Sequence, residues 1–453
     1  MSKENTNAYL FEEAPIKKAV SKLAVPTIIS SLVMVIYNMA DTYFVGLLND
    51  PIQTAGVTLA GPALLAFFAV SNLFGVGTSS AMSRALGRKR YDEVRQSSAV
   101  GFYGSVASGI LLSVLCLVFY PFLLKILGAS GETLGSTKAY MDWAVAAGAA
   151  PSILNVVFSY LVRSEGEALS ASIGTMSGAL LNIVLDPIFI LPWGFNMGAA
   201  GAGLATFLSN CVACLYFFFY VWRKRGKTFV SIQPKDFTLS PYILGEIANV
   251  GVPASVQNLL NVTGMTILNN FTAGYGPDAV AAMGIALKLQ LVPIQVALGA
   301  TQGVMPLISY TFANGRYDRM KDSILFVTKR VIIAMVAVTA VSVLAARPMV
   351  GFFMENPNVI SYGEGFLRGL MLALPFMIVD FMAVSVFQSV GDGRKALVFA
   401  ILRKIIFEIP FIIILNILFP PFGLSFAQFV AEFVLSIIAV VLLRKFFRSL
   451  KER

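Results

Sequence analysis

The sequence predicts an all-α membrane protein of twelve transmembrane helices, in two six-helix lobes related by a parallel internal repeat. Three observations lead there. The 453 residues are 57% hydrophobic and only 13% charged, about half the roughly 25% charge of a soluble globular domain. Apolar runs of the roughly 20 residues needed to cross a ~30 Å hydrocarbon core recur twelve times. Landmarks in the first half of the chain return, in the same order, in the second.

The composition also excludes other classes. Disorder needs low hydrophobicity with high net charge, and this chain has the reverse balance. His is absent, which removes the commonest general acid or base and the usual imidazole ligand. With no zinc motif and no G-x-S-x-G elbow, no enzyme activity and no cofactor are expected. The three Cys, at 116, 211 and 214, lie in apolar runs, so no disulfide framework is implied. The Cys211–Cys214 spacing reads as helix packing.

In order, the spans are expected at 20–46, 54–81, 97–124, 138–162, 169–191, 199–222, 242–273, 279–312, 324–346, 359–389, 397–419 and 424–443. The first follows Lys17, Lys18 and Lys22 without a small-residue cleavage site, so it is expected to be retained. Lys and Arg concentrate in cytoplasmic loops. Here they gather in the N-terminal tail, at Arg84 to Arg95, at Arg163, at Arg223 to Lys235, at Arg316 to Arg330, at Arg394 to Lys404 and from Arg444 onward. Only Lys125, Lys138, Arg347 and Arg368 fall on the other side, with Lys288 inside a span. Both termini are therefore expected in the cytoplasm of a plasma-membrane protein. The net charge of +10 is spread over these loops, which suits anionic membrane lipids rather than nucleic acid.

The repeat is carried by paired landmarks. Leu23-Ala-Val-Pro26 matches Val250-Gly-Val-Pro253, and Arg90-Tyr91-Asp92 matches Arg316-Tyr317-Asp318. Ser164 with Gly166 and Glu167 answers Ser389 with Gly391 and Asp392. Six spans per copy is an even number, so both copies sit the same way up, a transporter signature. The expected organisation is a first lobe at 1–222, a cytoplasmic linker at 223–241 and a second lobe at 242–453. Two such lobes can enclose a cleft that opens to alternate sides, and Pro26 and Pro253 mark matching bends.

Ionisable residues inside spans are costly and point to function. Asp41 lies 19 residues beyond Lys22, and Asp186 lies 19 beyond Glu167, each roughly 28 Å along its helix. The two carboxylates thus share one expected depth. Asn38 and Asn182 fall three and four residues earlier, on the faces of their carboxylates. Such a set can hold a proton or ligate Na⁺, so a Na⁺ site at Asp41 and Asp186 is one expectation. In the second lobe Asp380, Glu408 and Glu432 share a depth near mid-membrane, with Lys288 a candidate partner. They read either as a substrate or second cation site or as internal ion pairs. Gln257, Asn258, Asn261 and Gln290 offer hydrogen bonds beside it.

Several segments resemble a known family. They are Ala40-Asp-Thr-Tyr-Phe-Val-Gly46, Asn182-Ile-Val-Leu-Asp-Pro187, Gly198-Ala-Ala-Gly-Ala-Gly203 and Gln302-Gly-Val-Met-Pro-Leu-Ile-Ser-Tyr310 with Ala313-Asn-Gly315. Together they resemble the multidrug and toxic compound extrusion (MATE) family, most closely its MepA-type bacterial multidrug-export branch. The resemblance implies a secondary active efflux antiporter that exports organic, often cationic, amphiphilic drugs in exchange for H⁺ or Na⁺ by alternating access. It assigns ion coupling to the positions of Asp41, Asn182 and Asp186. Some branches also use acids on the seventh and tenth spans. Here the seventh has only Glu246 at its edge, so the expectation rests on the first lobe. A monomer is expected. A lipid-linked oligosaccharide flippase of the same wider superfamily is the alternative, but it would call for a basic cavity.

Overall fold

The computed structural model describes residues 9–129 and 131–451. Every expected span is helical. Helix α1 (Ile16–Gly46) is followed by α2 (Pro51–Leu59) and α3 (Gly61–Gly87), then α4 (Tyr91–Val118) and the short α5 (Tyr120–Ile126). Next come α6 (Thr133–Met141), a wide π turn over Asp142–Ala147, α7 (Ala149–Ser164), α8 (Ala168–Ile190) and α9 (Ala199–Arg223). The second half comprises α10 (Pro241–Ala273), α11 (Pro277–Ala313), α12 (Tyr317–Leu344), α13 (Ala346–Gly351), α14 (Pro357–Leu372) and α15 (Leu374–Ser389). It ends with α16 (Gly393–Ile401), a second π turn over Leu402–Glu408, α17 (Ile409–Leu418) and α18 (Gly423–Lys451).

Among the described residues, eight helices or helix pairs are long and apolar enough to cross a bilayer. Two further passages qualify as bent pairs, α6 with α7 at 50° and α14 with α15 at 42°. The other two passages are less apolar for visible reasons. Gln257, Asn258 and Asn261 interrupt α10, and Arg403, Lys404 and Glu408 lie in the π turn between α16 and α17. The chain is thus an all-helical, multi-pass membrane protein.

The chain divides into two compact units, and they do not follow simple chain order. One holds Ile29–Ser255 with the described residues up to Glu13, and the other holds Ala14–Ile28 with Val256–Arg453. Compared with the expected boundaries 1–222 and 242–453, the starts of α1 and α10 are exchanged. Each helix is continuous through its boundary, and Pro26 and Pro253 lie two residues before the changeover. The segment 223–241 is part of the first unit.

Within the first unit α3, α4 and α7 pack on one another, and α8 packs along α9. Small residues allow close backbone approach between membrane helices, where no hydrophobic driving force separates helix from lipid. A Cβ on Gly178 would lie 3.0 Å from the Ser209 carbonyl oxygen, and one on Gly203 2.6 Å from that of Tyr140. In the second unit α11 packs on α14 and α15, and α18 packs on α14, α15 and α17. Phe387, Phe399, Leu435 and Ala439 form one of its buried clusters.

Candidate functional site

The close α8–α9 packing fixes the first set of polar residues. Asn182 and Asp186 are one turn apart on α8 and buried, at 1% and 0% exposure. Asp41, near the end of α1, is half-buried, and its carboxylate and that of Asp186 act on each other electrostatically. Tyr37 lies near Thr206 on α9 and within electrostatic range of both carboxylates, and Tyr140 is within range of the same carboxylates. The Asn182 amide donates to Thr206 Oγ1 at 3.5 Å.

The acceptors in this set are unmatched. Asp41 Oδ1, Asn182 Oδ1 and both carboxylate oxygens of Asp186 are buried without a hydrogen-bond partner. Pro187, next in sequence, has no N–H to give the Ile183 carbonyl. Buried polar groups are nearly always satisfied, and a buried charge must be paired or neutralised. A proton or a small cation meets that requirement.

Asn38 does not join them. It is exposed, and its amide donates to the Met34 carbonyl of its own helix at 2.8 Å. Residues i and i+3 share a helix face, but the amide finds a nearer acceptor one turn back. Sequence reading also passed over Tyr37, Tyr140 and Thr206. Tyr37 lies four residues before Asp41, a signal that the periodicity carried.

The second unit gathers its charges differently. Arg403 Nε donates to Glu432 Oε1 at 2.6 Å, and its guanidinium lies 4.7 Å from the centre of the Phe381 ring. Lys404 Nζ donates to both Glu408 oxygens at 2.7 Å. Asp380 is 1% exposed, within hydrogen-bonding reach of Glu432, and neither of its oxygens has a partner donor. Arg403 and Lys404, read from sequence with the cytoplasmic loop cations, are therefore buried ion-pair partners. The wide turn over Leu402–Glu408 brings Arg403, Lys404 and Glu408 inward within six residues. Wide turns of this kind concentrate at functional sites.

Lys288, the expected partner, is exposed and forms no ion pair with a described residue. Arg403 and Lys404, in the same stretch as Glu408, pair with the acids instead. Gln290 is buried, donating to the Leu370 carbonyl at 2.8 Å and to Gln428 Oε1 at 3.0 Å. Both amide hydrogens are thereby committed to helix packing. Gln257 accepts from Gln388 Nε2 at 3.5 Å, and Asn258 and Asn261 are half-buried on α10. Among the described residues no group of three His, Cys, Asp or Glu is placed to hold a metal ion.

Comparison with known proteins completes the picture. The sequence model of the MatE family matches twice, over residues 26–188 and 253–414, the same two copies that the landmarks delimit. The Multidrug export protein MepA of Staphylococcus aureus (strain MRSA252) is 33% identical over 440 residues, covering 96% of this chain and 95% of that one. MepA of Staphylococcus saprophyticus is 32% identical over 436 residues, with coverage of 96% and 95%. Among solved structures, an outward-facing multidrug resistance MATE family transporter of the MOP superfamily superposes with TM-score 0.92 at 28% identity, covering 99% of both chains. A MOP superfamily transporter from Pyrococcus furiosus, described as having a binding pocket of reverse polarity, gives 0.91 at 27% identity over 98% of both. With both copies of its repeat matched and its fold shared along the whole chain, the protein belongs to the MatE family of membrane transporters.

Proposed function

We propose that this protein is a secondary active multidrug efflux antiporter, exporting organic, cationic amphiphilic compounds in exchange for H⁺ or Na⁺ by alternating access. The observation that carries the reading is the set of unmatched buried acceptors on Asp41, Asn182 and Asp186. Such a set is stable when a proton or cation occupies it. Ion and drug then act as opposed ligands of one two-state element, a reciprocal coupling. The names of the similar proteins, multidrug export and multidrug resistance, support the substrate class. Lys and Arg at one end of the helices support cytoplasmic termini.

The flippase alternative has less support. Such a carrier would need free cations beside the buried acids, whereas Arg403 and Lys404, which lie there, are each paired with a carboxylate.

The test is uptake of a fluorescent organic cation into inverted vesicles, driven in turn by an imposed pH gradient and by a Na⁺ gradient. Stimulation by one gradient, lost in Asp41→Asn and Asp186→Asn, is the expected result and identifies the ion. Full gradient-driven uptake in a folded Asp186→Asn protein would overturn the mechanism.

A further inference from the structure

A cavity of about 510 Å³ opens on the second unit between α12, α15 and α18. That is within the usual size of a ligand site. Its walls are apolar, formed by Ile324, Leu325 and Ile332 on α12, Val379 and Met382 on α15 and Val440 on α18. Its mouth carries Lys321, Arg444 and Arg448. Lys321 lies one turn into α12 and the arginines in the last two turns of α18, so the three cations gather at one end of the groove. Among the described residues no acid lines it; Asp318 and Asp322 are on α12 but outside the cavity. None of the three cations is ion-paired with a described residue, unlike Arg403 and Lys404.

A second observation fixes the depth of the polar contact. Thr328 Oγ1 is buried in this wall without a hydrogen-bond partner, although a helical Thr can usually bond its own i−4 carbonyl. It sits seven residues beyond Lys321, roughly 10 Å farther along the helix. The occupant should thus present an anion at the mouth, a hydrogen-bond acceptor about 10 Å deeper, and hydrocarbon beyond.

We propose that this groove binds an anionic membrane glycerophospholipid, its phosphate on Lys321, Arg444 and Arg448, an ester carbonyl at Thr328, and an acyl chain beyond it along Ile332 and Val379. Basic pockets between transmembrane helices on the cytoplasmic side recognise anionic headgroups by this chemistry. The lipid would brace two helices that carry buried acids, since Val379 adjoins Asp380 and α18 carries Glu432. The inference does not depend on the coupling ion or on the drug.

The test uses the full chain in neutral detergent and native mass spectrometry with phosphatidylglycerol against phosphatidylcholine of the same acyl chains. Retention of phosphatidylglycerol is expected to be favoured at least about tenfold. The preference should vanish in the combined Lys321→Gln, Arg444→Gln, Arg448→Gln variant. Leu325→Trp, which fills the groove and keeps the cations, should lower retention of both lipids. Equal retention of the two lipids by the unaltered protein would overturn the proposal, as would a preference that survives the triple change. If the triple variant does not fold, undiminished phosphatidylglycerol retention by Leu325→Trp overturns it instead. Glycerol phosphate binding as tightly as the whole lipid would mark a free-anion site and equally defeat it.

Discussion

Arg84 and Glu246 are 162 residues apart in sequence, yet the guanidinium donates to the carboxylate at 2.7 Å within one compact unit. Arg84 is a buried residue at the end of α3, and its side chain also bonds the Ser80 hydroxyl one turn back. Glu246 lies in the first turns of α10, the stretch 241–255 that joins the first unit. The ion pair therefore fastens the exchanged helix start where it belongs. Arg88 adds a longer contact to the same carboxylate, at 3.7 Å.

Removing that carboxylate leaves a buried guanidinium without its counter-charge. Glu246→Gln is expected to destabilise the protein by about 1–3 kcal/mol, below the range for a fully buried pair because Glu246 is 30% exposed. Thermal unfolding in detergent would read it. A stability equal to the unaltered protein would remove the pair from the forces holding α10.

The Arg403–Glu432 pair is more deeply buried, at 9% and 0% side-chain exposure. Arg403→Met alone should cost about 3–5 kcal/mol, because it strands a carboxylate beside Asp380. Joining it with Glu432→Leu should recover much of that loss, since apolar replacement of both partners is often neutral. A double variant as unstable as the single one would show that the charges contribute beyond their pairing.

The two asparagines near the first-unit carboxylates should behave differently. Asn182→Ala removes an orphaned acceptor and a bond to Thr206, so gradient-driven transport is expected to fall at least about tenfold, roughly the worth of a 1.4 kcal/mol interaction. Asn38→Ala removes one exposed amide bonded to its own helix, and transport should stay within about twofold. The comparison is made at matched protein levels in vesicles, and the reverse ordering would reject the placement of Asn182.

Gly178 and Gly203 set how closely α9 approaches its neighbours. Leu at either position forces the helices apart, at about 1–3 kcal/mol for overpacking, and shifts Thr206 away from Tyr37 and Asn182. Reduced thermal stability together with reduced transport is expected, whereas Gly245→Ala, where a Cβ meets open space, should leave both unchanged.

The segment following α9 is anchored as well as connecting. Glu165, 0% exposed, accepts from Thr228 Oγ1 at 2.7 Å and the Phe229 N–H at 2.8 Å, while the Tyr103 hydroxyl donates to the Ile232 carbonyl at 2.9 Å. Glu165→Ala should release this stretch, and limited trypsin digestion should cut faster at Lys227 and Lys235. An unchanged digestion rate would mean that the remaining contacts suffice.

Hydropathy along the chain was enough to mark the twelve helical passages, because each helix satisfies its own backbone and its length is set by the bilayer. The repeat was legible from Pro26 and Pro253, and the buried acids from their positions inside apolar runs. What the sequence could not decide was partnership. Arg403 reaches Glu432 over 29 residues and Arg84 reaches Glu246 over 162, and no local pattern distinguishes those cations from ordinary loop charges. Asn38 has the helical spacing for Asp41, but a nearer carbonyl captures its amide. The starts of α1 and α10 change units for the same reason. Segments are set by local period and hydrophobicity, whereas pairing depends on which groups the packed helices bring within hydrogen-bonding distance.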